Sequence, residues 1–540
     1  MTARRSRWRP WLLATAPIAF LAYFFVYPLV TILVTGFTAS GDGTSALDVL
    51  RRPSLRGVAW FTLWQATAST LLTVAIALPG AYVLGRYKFP GKRLVKAAVT
   101  VPFIMPTVVV GGAFLTLLGP DGPFGIDLRR TVWAILIAHV FFNYAVVVRT
   151  VSAAWERLDP KLRDAAATLG ASRTRVFRHV SLPLILPAIV SAASIVFLFS
   201  FTSFGVVLIL GDLVHSTVEV EIWRQATNLL NLPAAAALAT VQLVGITVIL
   251  WSYARYQRRH AVRSQVASVA AATIRPVTAG QRALLVVNLA VMAGLLLTPL
   301  AAIVARSFST ESGWSTANYA GLFEPNNALF VPAAEAIANS VWIAFLATVV
   351  ATVIGMLAAW SILRATGRAA QSLDVLVMLP LGTSAVTLGF GFLLALDVPI
   401  DLRTSFWLLP IAHGLVAIPF VVRTSLPVLR SIEERLREAA ATLGAGPRRV
   451  WTEIDLPIVR RALLVGGAFA FAVSMGEFGA TSFIARPDVP TLPIAVFRLL
   501  SRPGTASFGQ AMAAATVLMV ITALGILIVE RWRGNTAQEF

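Results

Sequence analysis

Residues Asp164–Pro183 read DAAATLGASRTRVFRHVSLP, and Glu438–Pro457 read EAAATLGAGPRRVWTEIDLP. The two stretches lie 274 residues apart, and this offset holds without insertion from Ala138 to Pro183 and its partner Pro457. Ala165, Ala166, Ala167, Thr168, Leu169 and Gly170 return as Ala439, Ala440, Ala441, Thr442, Leu443 and Gly444. Both copies are polar islands in an apolar chain, which marks them as surfaces that meet a partner.

Each copy reads as two short helices. Asp159 and Pro160 start the first, with Asp as cap and Pro at the first helical position. Consecutive alanines give high helix propensity without bulk. Gly170 can then take the left-handed conformation that ends a helix. Ser172 can cap a second helix containing Arg175, Val176 and Phe177, and Pro183 closes the unit as the next apolar run begins. An alanine face with an apolar knob, Phe177 or Trp451, suits a groove in another protein. Asp164 or Glu438 can pair with a basic group there or cap a nearby backbone. A loop packed only on its own bundle is the alternative, and two copies in one register argue against it.

The surrounding chain is 540 residues long, 57% hydrophobic and 13% charged. Soluble domains are about 45–50% apolar and about 25% charged, so the composition is that of a polytopic membrane protein. Cysteine is absent, which excludes disulfides, thiolate metal sites and thiol nucleophiles. The run from Trp11 to Thr35 follows Arg4, Arg5, Arg7 and Arg9. It is too long for the apolar core of a cleaved signal and reads as a first span. Further apolar runs fall at about 58–85, 94–118, 131–155, 184–209 and 233–254, then at 283–305, 335–362, 373–396, 404–429, 459–483 and 508–530. Twelve spans put both termini on one side. Placing that side in the cytoplasm leaves only eleven of the 45 Lys and Arg outside, from Arg51 to Arg502, as the positive-inside rule requires. The net charge of +20 is then a topology signal, not a nucleic-acid footprint.

The expected fold is all-α, with two parallel six-helix repeats. The first half covers residues 1–255 with its loop at 156–183. A polar, basic cytoplasmic linker covers 256–281. The second half covers 282–540 with its loop at 430–457. Besides the loops, Val147, Val148, Arg149 and Thr150 match Val421, Val422, Arg423 and Thr424, and Pro106 matches Pro380. Trp64, Thr70 and Arg86 match Trp342, Thr348 and Arg364 at offset 278. The change of offset is expected in a shorter loop between the second and third spans. Pro106 and Pro380 are expected to kink the third span, because proline removes a helix hydrogen bond.

The repeated pattern, an acid and two alanines, three more residues, Gly, and a Leu-Pro pair a dozen residues on, resembles the cytoplasmic loop of ATP-binding-cassette import permeases. Both halves carry it, so the resemblance covers nearly the whole chain. It implies the type I importer permease fold, with each loop a coupling helix for a cytosolic ATPase. The coupling residues are then Asp164, Ala165, Ala166, Gly170, Phe177 and Pro183, with Glu438, Ala439, Ala440, Gly444, Trp451 and Pro457. The chain lacks a GxxxxGK[ST] phosphate loop, so ATP belongs to the partner and this subunit carries no cofactor and no catalysis. The implied partners are two ATPase copies, an extracytoplasmic substrate-binding protein and membrane lipid. The implied location is the bacterial inner membrane, multi-pass, with both termini cytoplasmic. The fused twelve-span form, with Ile137–Asn143, Thr62–Ala66 and Ser474–Ala480, resembles permeases for thiamine, ferric iron and phosphonates. A thiamine-like substrate is favoured, with ferric iron next.

Glu477 is the only acid this reading places well inside a span, and Ser203 is its equivalent. An intramembrane ionisable group faces a pathway or a partner. Ser203 and Glu477 are therefore candidates for the translocation path or its outer gate, with a purely structural bond in a helix interface as the alternative. His139 and His413 read as bonded to neighbouring helices rather than to metal. Residues 211–233 and 486–502 are expected to form short outside helices that meet a substrate-delivering protein. The rival function is a secondary transporter driven by an ion gradient, which also uses two six-span repeats. Such proteins need intramembrane acids for the coupling ion, and one acid is thin provision.

Overall fold

The computed structural model describes residues 9–38, 51–120, 122–259, 273–325, 329 and 331–534. Arg4, Arg5, Arg7 and the linker residues 260–272 lie outside them. Among the described residues the fold is all-α apart from a small hairpin, β1 (Ser309–Thr310) paired with β2 (Gly313–Trp314). Ten helices among the described residues are long and apolar enough to cross a membrane, and the number of spans is up to twelve when each of two bent helix pairs is counted as one. Helices are the outcome because lipid offers no partner for backbone N–H and C=O groups.

In the first repeat the spans are α1 (Ala14–Thr38), α2 (Pro53–Arg86), the pair α3 (Lys92–Ile104) and α4 (Thr107–Leu117), α5 (Val132–Glu156), then α7 (Thr174–Phe201) and α9 (Leu232–Gln257). The loop helix α6 (Pro160–Thr168) and the short helix α8 (Val218–Trp223) lie between them. The second repeat runs α10 (Ala279–Phe308), α11 (Ala333–Arg364), the pair α12 (Gly367–Gly382) and α13 (Ala385–Ala395), α14 (Leu408–Ser431), α16 (Pro447–Met475) and α18 (Thr505–Gly525). Its loop helix is α15 (Glu434–Thr442) and its outer helix α17 (Leu492–Leu500).

The third span of each repeat is broken rather than kinked. Each pair bends by 98°, and the break corrects the alignment of the halves. The amide of Met105 donates to Pro102, and that of Thr383 to Pro380, each at 3.3 Å. Pro380 therefore corresponds to Pro102, not to Pro106. Offset 278 continues through the break, since Ile104, Thr107 and Leu117 map onto Gly382, Ala385 and Ala395. Arg149 reaches Thr100 and Arg423 reaches Met378, which repeats the same register. The four-residue difference lies after the third span. There Leu128 donates to the carbonyl of Leu118, and Leu402 to that of Leu396, across loops of unequal length. A chance proline match misplaced the gap.

The chain packs as two compact units that do not follow its sequence halves. One comprises Met1–Asp48, Ile222–Thr240 and Ser307–Phe540, and the other Val49–Glu221 and Val241–Arg306. Within the first unit, α1 lies against the second repeat. A Cβ on Gly391 would come within 3.0 Å of Pro28 and 3.2 Å of Ile32. Within the other unit, α10 lies against the first repeat, with Met292 closing on Gly80. The opening span of each repeat thus belongs to the packing of the other. The core of the first unit includes Leu21 and Phe25 of α1 beside Ile343, Phe392, Leu415 and Val421.

Candidate functional site

The paired loops share one backbone design. Asp159 caps α6, its carboxylate accepting from the amide of Lys161 at 2.9 Å. The helix ends where Gly170 adopts φ +80°, and α15 ends at Gly444 with φ +84°. Ala171 donates to the carbonyl of Ala166 and Gly170 to that of Ala167. Ala445 to Ala440 and Gly444 to Ala441 repeat the pattern. This left-handed closure satisfies the last helical carbonyls.

The second short helix does not stand alone. It runs into the fifth span through a wider turn, Phe177–Ser181 in one copy and Trp451–Asp455 in the other. Leu182 donates to Phe177, and Leu456 to Trp451, five residues back. Pro183 and Pro457, which lack an N–H, follow at once, and the wide turn accommodates them.

The expected knobs each touch the bundle on one side, and Phe177 stays 44% exposed. Phe177 stacks on Trp155 at 6.5 Å, and Trp451 meets Trp360 edge-on at 4.2 Å. The residues that project are Leu169 and Leu443, 88% and 89% exposed, with Leu162 and Leu436 beside them. Neither α6 nor α15 buries a side chain, and Asp164 and Glu438 are exposed. The expectation of an apolar knob fell on Phe177 and Trp451, not on these leucines. Their signal was identity in both copies beside a helix-ending glycine.

The loops differ in their internal ties. Arg437 binds buried Asp455 through Nε and Glu434 through Nη1, each at 2.9 Å. Burial would lower its pKa, but these bonds outweigh burial and raise it. At the same register the first loop has Arg163, Ser181 and Pro160. Arg163 Nε is buried without a partner, and burial followed by the nearby Arg86 lowers its pKa against Asp164.

The two histidines and the two path candidates form equivalent buried pairs. His139 lies 2.9 Å from Ser69 Oγ through Nδ1 and 2.8 Å from Ser203 Oγ through Nε2. His413 lies 2.8 Å from Ser474 Oγ through Nδ1 and 2.8 Å from Thr481 Oγ1 through Nε2. Its Nε2 is also 3.2 Å from Glu477. The Glu477 carboxylate accepts from the amides of Ala480 and Thr481 at 2.8 and 3.0 Å, and from the Thr481 hydroxyl. Glu477 is only 7% exposed, and it holds the turn at which the fifth span stops. Its carboxylate is thus fully bonded within the helices. The constant spacing of 64 residues from His139 to Ser203 and from His413 to Glu477 was the available signal for the pairing.

The segments beyond the fifth spans do contain short helices, but these are buried. Thr217, Glu219, Glu221 and Ile222 are buried, as are Leu492, Ala495, Val496 and Leu499. The amide of Val218 donates to Thr62 Oγ1 at 2.9 Å and that of Leu492 to Ser340 Oγ at 2.6 Å. Each segment is thus stapled to the second span of its repeat. Glu219 accepts from Gln242. The burial of Glu219 and Glu221 departs from the expectation of an outside helix that faces a partner.

The sequence pattern described as "Binding-protein-dependent transport system inner membrane component" matches the chain twice, over residues 77–262 and 351–537. The chain belongs to this family. As a member it is an importer permease of the ATP-binding-cassette class, a transport subunit rather than an enzyme, and a multi-pass inner-membrane protein. A probable ABC transporter permease protein, y4fN of Sinorhizobium fredii, is 26% identical over 529 residues, covering 92% of this chain and 90% of that one. The thiamine transport system permease protein ThiP of Brucella abortus is 28% identical over 558 residues, covering 98% and 97%. The sulfate transport system permease protein CysT of Salmonella typhimurium is 33% identical over 221 residues, covering 39% of this permease and 80% of that protein.

Proposed function

We propose that this permease imports a thiamine-like substrate using ATP hydrolysed by two copies of a separate cytosolic ATPase. The loops at 156–183 and 430–457 are the docking elements, and both termini lie on their side of the membrane. The observation that carries this reading is the pair of exposed leucines, Leu169 and Leu443, on identical left-handed helix ends. Outside the bilayer an exposed leucine gains by burial in a partner's apolar pocket. An ATPase dimer presenting two such pockets can pull the loops together and so turn the bundle, with no nucleotide bound by this chain. Substrate arrives on an extracytoplasmic binding protein. Ser203 and Glu477 act at the outer gate by fixing, with His139 and His413, where the fifth spans stop. The relatives described as thiamine permeases support the choice of substrate, and ferric iron is the second candidate.

The test is uptake of labelled thiamine and labelled ferric iron by a strain lacking this chain and by the same strain restored. Thiamine uptake should return and should stop when ATP is depleted under a maintained proton gradient. Uptake that persists without ATP would identify a gradient-driven carrier instead.

A further inference from the structure

On the side of the paired loops, the second repeat contains a cavity of about 520 Å³ lined by Gly367, Arg368, Ala370, Gln371, Asp374 and Arg430. The equivalent corner of the first repeat is tied shut. Lys96 Nζ lies 2.8 Å and Lys92 Nζ 2.9 Å from Glu156 Oε1. In the register set by the broken third spans, Lys96 corresponds to Asp374, Lys92 to Ala370 and Glu156 to Arg430. The pair has exchanged signs, yet it is not closed. Asp374 Oδ1 is buried with no hydrogen-bond partner. Among the described residues, Asp374, Arg368 and Arg430 form no ion pair.

A buried carboxylate oxygen without a donor is unfavourable, and here a cavity lined by two arginines stands where the closing contact would be. One carboxylate opposite two guanidinium groups fits a zwitterion with a cationic donor at one end and an anion at the other. The surface along α12 carries exposed Val375, Leu379 and Leu381, an apolar track suited to acyl chains. Basic pockets at cytoplasmic helix ends hold lipid headgroups.

We propose that this cavity binds the phosphoethanolamine headgroup of a membrane phospholipid. Arg368 and Arg430 take the phosphate, and Asp374 takes the ammonium. The site depends on the spans lying in a bilayer, and not on the substrate or on ATPase docking.

The test uses the full-length permease purified in detergent, with retained lipids read by native mass spectrometry. Phosphatidylethanolamine, phosphatidylglycerol and phosphatidylcholine are offered in turn. Phosphatidylethanolamine should be retained about ten-fold better than phosphatidylcholine, whose methylated nitrogen has no hydrogen to donate to Asp374. The double variant Asp374→Lys with Arg430→Glu rebuilds the ion pair of the first repeat, so it should fold and lose that preference. Asp374→Asn should bring phosphatidylethanolamine down to the level of phosphatidylglycerol. Equal retention of all three lipids by the unaltered chain would overturn the proposal, as would a double variant that keeps the preference. Thermal stabilisation by inorganic phosphate equal to that by phosphatidylethanolamine would also overturn it, by showing a free-anion site.

Discussion

The burial of Glu477 is made tolerable by its donors. Two backbone amides, the Thr481 hydroxyl and His413 surround its carboxylate, as a buried charge requires. Glu477→Gln places an NH₂ group against those donors and costs about 1–3 kcal/mol. The variant should still be expressed and inserted, with uptake impaired and a lower melting point in detergent; unchanged uptake would remove Glu477 from the gate. Leu169 and Leu443 pose the opposite case, since exposed side chains hold nothing within the chain. Leu169→Asp with Leu443→Asp should leave melting of the isolated permease unchanged and abolish its co-purification with the ATPase. Retention of the ATPase would move the docking contact elsewhere on the loops. Of the residue-level readings, Asp159 as cap and Gly170 as helix end were legible, because both are set by neighbours in the chain. The leucines were legible as a repeated pair, but not as the projecting residues, because exposure is a property of the packed molecule.

Among the elements, the loop helices depend on their left-handed ends. A side chain with a Cβ in that conformation costs about 1–2 kcal/mol, and nothing else lies within 4 Å of a Cβ built on Gly170 or Gly444. Gly170→Val with Gly444→Val should therefore distort the loops without a steric clash. ATPase activity in the assembled transporter should then no longer respond to substrate delivery. Substrate-stimulated hydrolysis at the normal rate would show that the glycines are not needed for coupling. The two loops are not copies in their ties, since Arg437 is fixed by Asp455 and Glu434 while Arg163 is not. The broken third spans show the limit of local reading most clearly. Prolines near residues 102–106 and 380 announced an interruption. Only the matched hydrogen bonds showed which proline corresponds to which.

For the whole molecule, the exchange of opening spans has a direct consequence. Residues 1–255 include α1, whose seat is on the second repeat, and residues 282–540 include the rest of α10, whose seat is on the first. Expressed separately, neither half should accumulate in membranes, whereas co-expression should restore both. Immunoblots of membrane fractions distinguish these outcomes, and stable accumulation of one half alone would contradict the exchange.

The sequence by itself determined the membrane setting, the number of spans, the duplication and the paired loops. Each follows from apolar run length, charge placement or helix-end chemistry, all of which act between residues close in the chain. The tertiary structure decided which leucines project, that Glu477 pairs with His413, that the outer helices are buried, and which repeat receives each opening span. These depend on groups far apart in sequence. Their contacts form only when helices pack, and a duplicated chain offers two nearly equivalent partners for every surface.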